Sequence, residues 1–324
     1  MSKYNVLITG VGAIIGYGVI KSLRKTDLDV CIIGMDIYDD AVGQHWCDQF
    51  IQSIPASDIE YITFLKNIIK EHNINIVFFG TEQEIYRVYH ERKELGEYYK
   101  KMVTNRGILL DIAQDKWKTR EFLLVNHLEK YAIPSVIEGS YEEISKQYGN
   151  TFLLKPRNSY ASKGIEKVSD HESFNFYKKR MGKQFMAQRL IGDNLHEYTV
   201  GIFGLGNGEY SSKIMMRRQL SQEGATAKAW IVTNKKLEAA VNELVKVFKP
   251  IGPTNLQFRE DNDTFYLLEI NPRISSSTSI RTAFGHNEAL MCVEYFLNNN
   301  VIYPTVQSGS AVRYIDEVVV IDEC

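Results

Sequence analysis

The sequence predicts a mixed α/β and α+β protein: a doubly wound parallel-sheet domain first, then a body of two α+β subdomains. Three observations predict it. Over the first hundred residues, apolar strand-like runs alternate with stretches of helical spacing, which calls for a parallel sheet with helices on its faces. From about residue 150 the chain changes to strand–turn–strand units. Near the end, "FYLLEINPRISSSTSIR" (265–281) crowds a carboxylate, an amide, guanidinium groups and a run of hydroxyls against one short apolar strand.

Each N-terminal element follows from its residues. "YNVLITG" (4–10) reads as a buried strand, and "VGAIIGYGVIKSLRK" as a glycine-rich turn entering a helix. "DVCIIGMD" (29–36) is a second strand. "EYITFLKNIIKEHN" has apolar residues at helical spacing and ends at Asn73. "INIVFFG" (74–80) is a third strand. Gly10, Gly12 and Gly16, with Asp36 ending the second strand, approach a dinucleotide fingerprint. The spacing is G-x-G-x-x-x-G, one residue too long. Two readings stand: a cofactor turn, or glycines that keep the turn tight and the helix close to the sheet. Glu82 and Glu84 follow the third strand, where ligands of such sheets gather. Glu82 is a candidate for holding substrate and is equally readable as a solvated loop acid.

In the middle, "DIAQDKWKTREFLLVNHLEKYAIPS" predicts a helix opening near Asp115 and stopping before Pro134. "TFLLKPRNSYASKGIEKV" (151–168) predicts strand, polar turn, strand. Lys155 ends the first strand, and Pro156 holds it extended. The segment 157–164 is small, polar and basic. It can fold N–H groups over phosphates with Lys155 and Lys163 adding charge, or it is an exposed hairpin. Gln188 to Ile191 reads as a strand edge whose backbone can meet an adenine edge. Glu197 opens the next strand and can hold ribose hydroxyls. The strand that follows is basic, with Lys213, Arg217 and Arg218.

"TNLQFREDNDTFYLLEIN" (254–271) predicts a hairpin turning at "EDND". Leu256, Phe258, Tyr266, Leu268 and Ile270 form an apolar face at even positions. In that register Gln257 falls opposite or diagonal to Glu269, so Gln257, Glu269 and Asn271 converge on the polar face. Oxygen donors without His or Cys suit a hard cation such as Mg²⁺, with Mn²⁺ as an alternative. Arg273 is placed to pair with a phosphoryl oxygen. Ser275, Ser276, Ser277 and Ser279 can line an anion or substrate pocket.

Composition narrows the function classes. The 324 residues are 44% hydrophobic and 24% charged, with a net charge of -2, so bulk attraction to nucleic acid or anionic membrane is excluded. Cys31, Cys47, Cys292 and Cys324 show no CxxC spacing and read as reduced thiols of a cytoplasmic protein, or as small core residues, rather than as a zinc site or a disulfide framework. The seven histidines are scattered. No apolar run reaches membrane-span length, and the opening residues lack a signal-peptide layout.

The motifs taken together resemble the ATP-grasp superfamily, in particular the carbamoyl-phosphate-synthase-like carboxylate–amine ligases. They are "DK" (115–116), "FLLKPR" (152–157), "NSYASKG" (158–164), "QRLIG" (188–192), "EYTV" (197–200) and "LQF…LLEINPR" ending at Arg273. The resemblance implies a Rossmann-like domain at 1–112, an ATP-grasp domain at 113–306 (nucleotide-clasping at 113–190, metal and substrate at 191–306) and a C-terminal strand segment at 307–324. It implies that Lys116 and Lys155 contact ATP phosphates, and that Ser162, Lys163 and Gly164 belong to a loop closing over them. Gln188, Arg189 and Leu190 would border adenine, and Glu197 would bind ribose. Gln257, Glu269 and Asn271 would hold one or two Mg²⁺, and Arg273 would face the γ-phosphate. Gly12, Glu82, Arg217, Arg218 and Ser276 are candidates for the substrate side. Tyr160 and Ala161 stand where many relatives have a richer glycine loop.

The implied chemistry is activation of a carboxylate as an acyl-phosphate, then its capture by an amine, giving ADP, phosphate and an amide bond. Both substrates are small molecules, and a homodimer is compatible with the family. Two other classes stay open: an NAD(P)-dependent oxidoreductase or epimerase using Gly10–Gly16 and Asp36, and a non-catalytic ATP-binding protein of the same shape.

Overall fold

The computed structural model describes residues 3–158, 164–222 and 224–320. Its first sheet has four parallel strands in the order β3-β2-β1-β4: β1 Tyr4–Thr9, β2 Val30–Asp36, β3 Gln49–Gln52 and β4 Ile76–Phe78. β3 was not anticipated. "QFIQ" is a four-residue edge strand, too short to show a period. Helices α1 (Ile14–Leu23), α2 (Tyr61–Glu71), α3 (Glu82–His90) and the short α4 (Arg92–Leu95) complete this region. Val6 and Ile8 pack toward Val19 and Leu23 of α1, while Leu7, between them, packs toward Tyr61 and Leu65 of α2. That is the two-sided burial that made these strands read as continuous apolar runs.

Helices α5 (Ile108–Ala113) and α6 (Lys116–Val125) lead to a second sheet, antiparallel, in the order β5-β8-β6-β7. Its strands are β5 Ser135–Val136, β6 Phe152–Pro156, β7 Glu166–Val168 and β8 Phe185–Arg189. Helices α7 (Tyr141–Tyr148) and α8 (His171–Met181) cover one face through Ile144, Phe152 and Phe174. The expected free edge at Gln188 is corrected here. β8 pairs with β6 on one side and β5 on the other, and Arg189 N already donates to Pro134 O at 3.0 Å.

The third sheet is antiparallel throughout, in the order β13-β12-β9-β10-β11-β14. Its strands are β9 Glu197–Leu205, β10 Tyr210–Leu220, β11 Thr226–Ile231, β12 Ile251–Asp261, β13 Thr264–Asn271 and β14 Ser310–Val312. Helix α9 (Lys235–Phe248) buries Leu237, Val241 and Leu244 against Val200, Leu256 and Phe258 on one face. The opposite face carries Glu197, Thr199, Arg218, Asn255 and Gln257. Helices α10 (Thr278–Ala283) and α11 (Glu288–Asn298) return to the first sheet, where Met291, Cys292 and Val293 share the core of α1.

The β12–β13 hairpin turns at Asn262 and Asp263, both left-handed (φ 47° and 63°), as a tight two-residue turn requires. Its register departs from the expected even-position face. Gln257 pairs with Glu269, but Phe258 pairs with Leu267, so Leu268 is an extra residue in β13. Beyond this bulge the phase of β13 reverses. Phe265 and Leu267, not Tyr266 and Leu268, join Ile270 in the core.

Candidate active site

Two lysines from different elements are held together by one carboxylate. Asp115 caps α6, accepting from Trp117 N at 2.9 Å and Lys118 N at 3.4 Å. It also takes Arg157 through Nε at 3.1 Å and Nη2 at 2.5 Å, and Lys116 N donates to Arg157 O at 3.0 Å. The start of α6 is thereby stitched to the end of β6, which brings Lys116 and Lys155 to one place. Burial raises the Asp115 carboxyl, but the Arg157 guanidinium and the helix N–H groups outweigh it, leaving a net lowering. Lys155 is buried, and that burial, with the Lys116 charge beside it, lowers its pKa to about 7 against the opposing pull of Glu269. Lys116 is lowered too, by burial, against the carboxylates of Glu269, Glu82 and Asp115.

Across from the lysines stands the end of β13. Register places Glu269 opposite Gln257 and Asn271 opposite Asn255. Arg273 Nη2 donates to Asn271 Oδ1 at 3.2 Å and to Glu82 Oε2 at 3.1 Å. Glu82 opens α3, so the N-terminal region contributes directly. Asn271 Nδ2 is buried without a partner among the described residues, and the Glu269 carboxylate makes no ion pair there. Lys116, Lys155, Gln188, Leu268 and Glu269 line a narrow cavity of about 20 Å³ between the second and third sheets.

Behind the cleft lies a layer of buried ion pairs. Arg218 gives Nε and Nη2 to Glu197 Oε1 at 3.1 and 2.8 Å, and Nη2 also to Gln257 Oε1 at 2.8 Å. Arg259 Nη2 meets Glu197 Oε2 at 2.6 Å. Deeper still, fully buried Arg281 donates to Glu288 Oε1 at 2.9 Å, to Thr199 Oγ1 at 3.1 Å and to Asn255 Oδ1. Its guanidinium fills the space where a side chain on Gly201 would stand, with Nη1 2.4 Å from that Cβ position.

Residues 183–318 match the family model described as ATP-grasp in the biosynthetic pathway with Ter operon. Solved structures match nearly the whole chain. N5-carboxyaminoimidazole synthetase from Staphylococcus aureus superposes with a TM-score of 0.71 at 14% identity, over 94% of this chain and 80% of that one. The chain carries the ATP-grasp fold. Biotin carboxylase from Campylobacter jejuni gives 0.69 at 13% identity, over 89% and 70%. An L-amino acid ligase from Bacillus licheniformis gives 0.68 at 14%, over 94% and 76%. No curated protein matches the sequence.

Within this ATP-grasp fold, Lys116, Lys155, Gln188, Glu269, Asn271, Arg273 and Glu82 come together, while several other expectations need correction. Glu197 does not present a free carboxylate for ribose: it is buried and both oxygens face guanidinium groups. Arg217 points to the opposite face from Arg218, the α9 side, and stacks over Trp230 at 5.0 Å. The Arg189 side chain runs to Tyr266 Oη at 3.2 Å, and Leu190 is half-exposed beside it.

The serine pocket is also corrected. Ser275 and Ser277 are buried and hold the turn itself, Ser277 N donating to Ser275 Oγ at 3.2 Å. Ser276 is bound through its backbone, its carbonyl accepting from Arg313 at 2.9 Å. Gly164 adopts φ +73° beside Pro156, whereas Ser162 and Lys163 lie outside the described residues.

Gly12 donates its N–H to Asp36 Oδ2 at 2.8 Å, so the supposed ribose acid is spent on the turn. A Cβ on Gly16 would lie 2.2 Å from Gly10 O, which favours the close-packing reading of these glycines.

Sequence reasoning missed Asp115–Arg157, Arg259 and the Arg281–Glu288 pair. Only Asp115 left a signal, as a helix N-cap ahead of Lys116. Among the described residues no three His, Cys, Asp or Glu side chains cluster to hold a metal, and no helix is long and apolar enough to cross a membrane.

Proposed function

We propose that the protein is an ATP- and Mg²⁺-dependent ligase that activates a small-molecule carboxylate as an acyl-phosphate and passes it to an amine, releasing ADP and phosphate. The observation that carries this reading is the pair of desolvated lysines, Lys116 and Lys155, facing the unpaired carboxylate of Glu269 across one cleft. Lys155, buried and in no ion pair among the described residues, invites an anion of several charges. The names of the compared structures, a synthetase, a carboxylase and a ligase, favour the same class, and the Staphylococcus aureus synthetase is also known complexed with ADP.

The donor set fits Mg²⁺. Among the described residues Glu269 brings one carboxylate outside any ion pair, Asn271 an amide oxygen shared with Arg273, and Gln257 an amide oxygen shared with Arg218. Glu269 is the best-placed donor, because a guanidinium stands beside each amide oxygen, Arg273 at Asn271 and Arg218 at Gln257. The bound ion would neutralise phosphate charge. The chain's own groups do the rest. Lys116 and Lys155 bind and orient phosphate oxygens. Arg273, aimed by Glu82 and Asn271, meets charge developing on the transferred group. The cleft between the sheets is narrow, and in this reading the second sheet swings away from the third to admit the nucleotide. In this reading residues 1–112 form a Rossmann-like domain that shapes the acceptor side through Glu82.

The test is release of ADP and phosphate from MgATP across carboxylates paired with amines, with mass spectrometry of the product. ADP and an amide are expected. AMP and pyrophosphate would overturn the mechanism.

A further inference from the structure

A second cavity, of about 340 Å³, opens on the far half of α1, lined by Ile20, Lys21, Arg24, Lys25, Trp46 and Ser279. It shares no residue with the cleft between the sheets. Lys21 lies seven residues beyond the start of α1, about 10 Å along the helix from the strand ends that face that cleft. Its volume is that of a small-molecule site.

The walls are chemically specific. Trp46 is fixed from behind: Arg24 donates Nε and Nη2 to Trp46 O at 3.2 and 3.0 Å, and Nη2 also meets Asp48 Oδ1 at 2.9 Å. Tyr17 meets the Trp46 ring edge-on, with centroids 6.2 Å apart. The Lys21 ammonium lies over the Trp46 ring at 4.6 Å and over Tyr17 at 5.5 Å. Arg24 is thus neutralised by Asp48, whereas Lys21 and Lys25 form no ion pair among the described residues. An ammonium on an aromatic face keeps its N–H donors for an anion. The Trp46 indole supplies a flat apolar surface, and Ser279 also lines the cavity. Two cations outside any ion pair among the described residues thus line one cavity, one of them over an aromatic face.

We propose that this cavity is a second ligand site, for a small organic anion that joins a flat apolar ring to one phosphate or carboxylate group. The ring packs on Trp46, and the anion is taken by Lys21 and Lys25. The proposal is independent of the ligase reading.

Calorimetry on the full chain, with MgADP present in excess, tests it with phenyl phosphate as probe and with inorganic phosphate and phenol as its two halves. Phenyl phosphate is expected to bind one to one, at least tenfold more tightly than either half. Lys21→Glu combined with Lys25→Glu should weaken it tenfold or more. Both are exposed, Lys21 on α1 and Lys25 in the turn after it, so the thermal melt should hold. Lys155→Met should leave phenyl phosphate affinity within twofold. Absence of saturable binding to the wild-type protein, unchanged affinity in the double variant, or loss of binding in Lys155→Met would each overturn the proposal. The last would place the probe in the cleft between the sheets.

Discussion

The glycine turn after β1 and the cleft beside β13 both set a carboxylate near the end of a strand, and in sequence both read as nucleotide sites. They differ in what the carboxylate is bonded to. Asp36 accepts from Gly12 N at 2.8 Å and Tyr38 N at 3.1 Å, and the glycines around it are crowded by backbone. Among the described residues Glu269 has no such partner, and the lysines facing it are lowered in pKa by burial. Polar groups satisfied from within are structure, and buried groups left unsatisfied mark where a ligand completes the bonding.

The strongest way to break this comparison is Glu269→Gln. The amide keeps the shape and removes the negative charge of the cluster, so phosphate release should fall by orders of magnitude. The circular-dichroism melt should stay put, because Glu269 lies off the apolar face. Both are measured on one preparation, and wild-type turnover in a normally melting variant would strip Glu269 of its role.

Lys155→Met comes next. Losing a charge-assisted contact should weaken MgATP at least tenfold, about 1.5–3 kcal/mol. The same change should stabilise the nucleotide-free protein at pH 7, since it removes a buried cation. The pH dependence has a definite sign. Lys155 titrates at about 7 folded, against 10.5 as its ordinary value, so the unfolded chain binds the extra proton between those limits. Wild-type stability should gain a rising component from pH 7 to 10.5 and lose it again as pH falls toward 7. The variant should lack that slope in melts across this window. ATP should restore the ammonium, so binding at pH 8 takes up a proton. Calorimetric enthalpies that do not vary with buffer ionisation would contradict this.

Asp36→Asn should do least. The amide oxygen can still accept from Gly12, so the cost is about 1 kcal/mol, seen as a small drop in melting temperature, with MgATP turnover within twofold. A large loss of turnover with an unchanged melt would move a ligand to the glycine turn and erase the contrast.

Element types were legible because they rest on local periodicity. The alternation of strands and helices, the hairpin at 254–271 and the helix opening at Asp115 all follow from residues close in sequence. The ATP-grasp motifs were legible in the same way, as short runs in order. Pairings were not. Asp115 and Arg157 are 42 residues apart, Glu82 and Arg273 are 191 apart, and no local rule joins them.

By itself, then, the sequence determined the longer, periodic strands and helices it was read for, and which polar residues end them, because periods of two and 3.6 are written into neighbouring side chains. The tertiary structure decided which of those residues meet. Arg217 and Arg218 are adjacent in the chain, yet one stacks on Trp230 and the other locks Glu197 and Gln257, because neighbouring strand residues face opposite sides of the sheet. One extra residue at Leu268 reversed the phase of β13 without leaving a mark in the apolar pattern. The pKa of Lys155 belongs to no segment at all: it arises where two sheets close over one ammonium and exclude the water that would otherwise hold its charge.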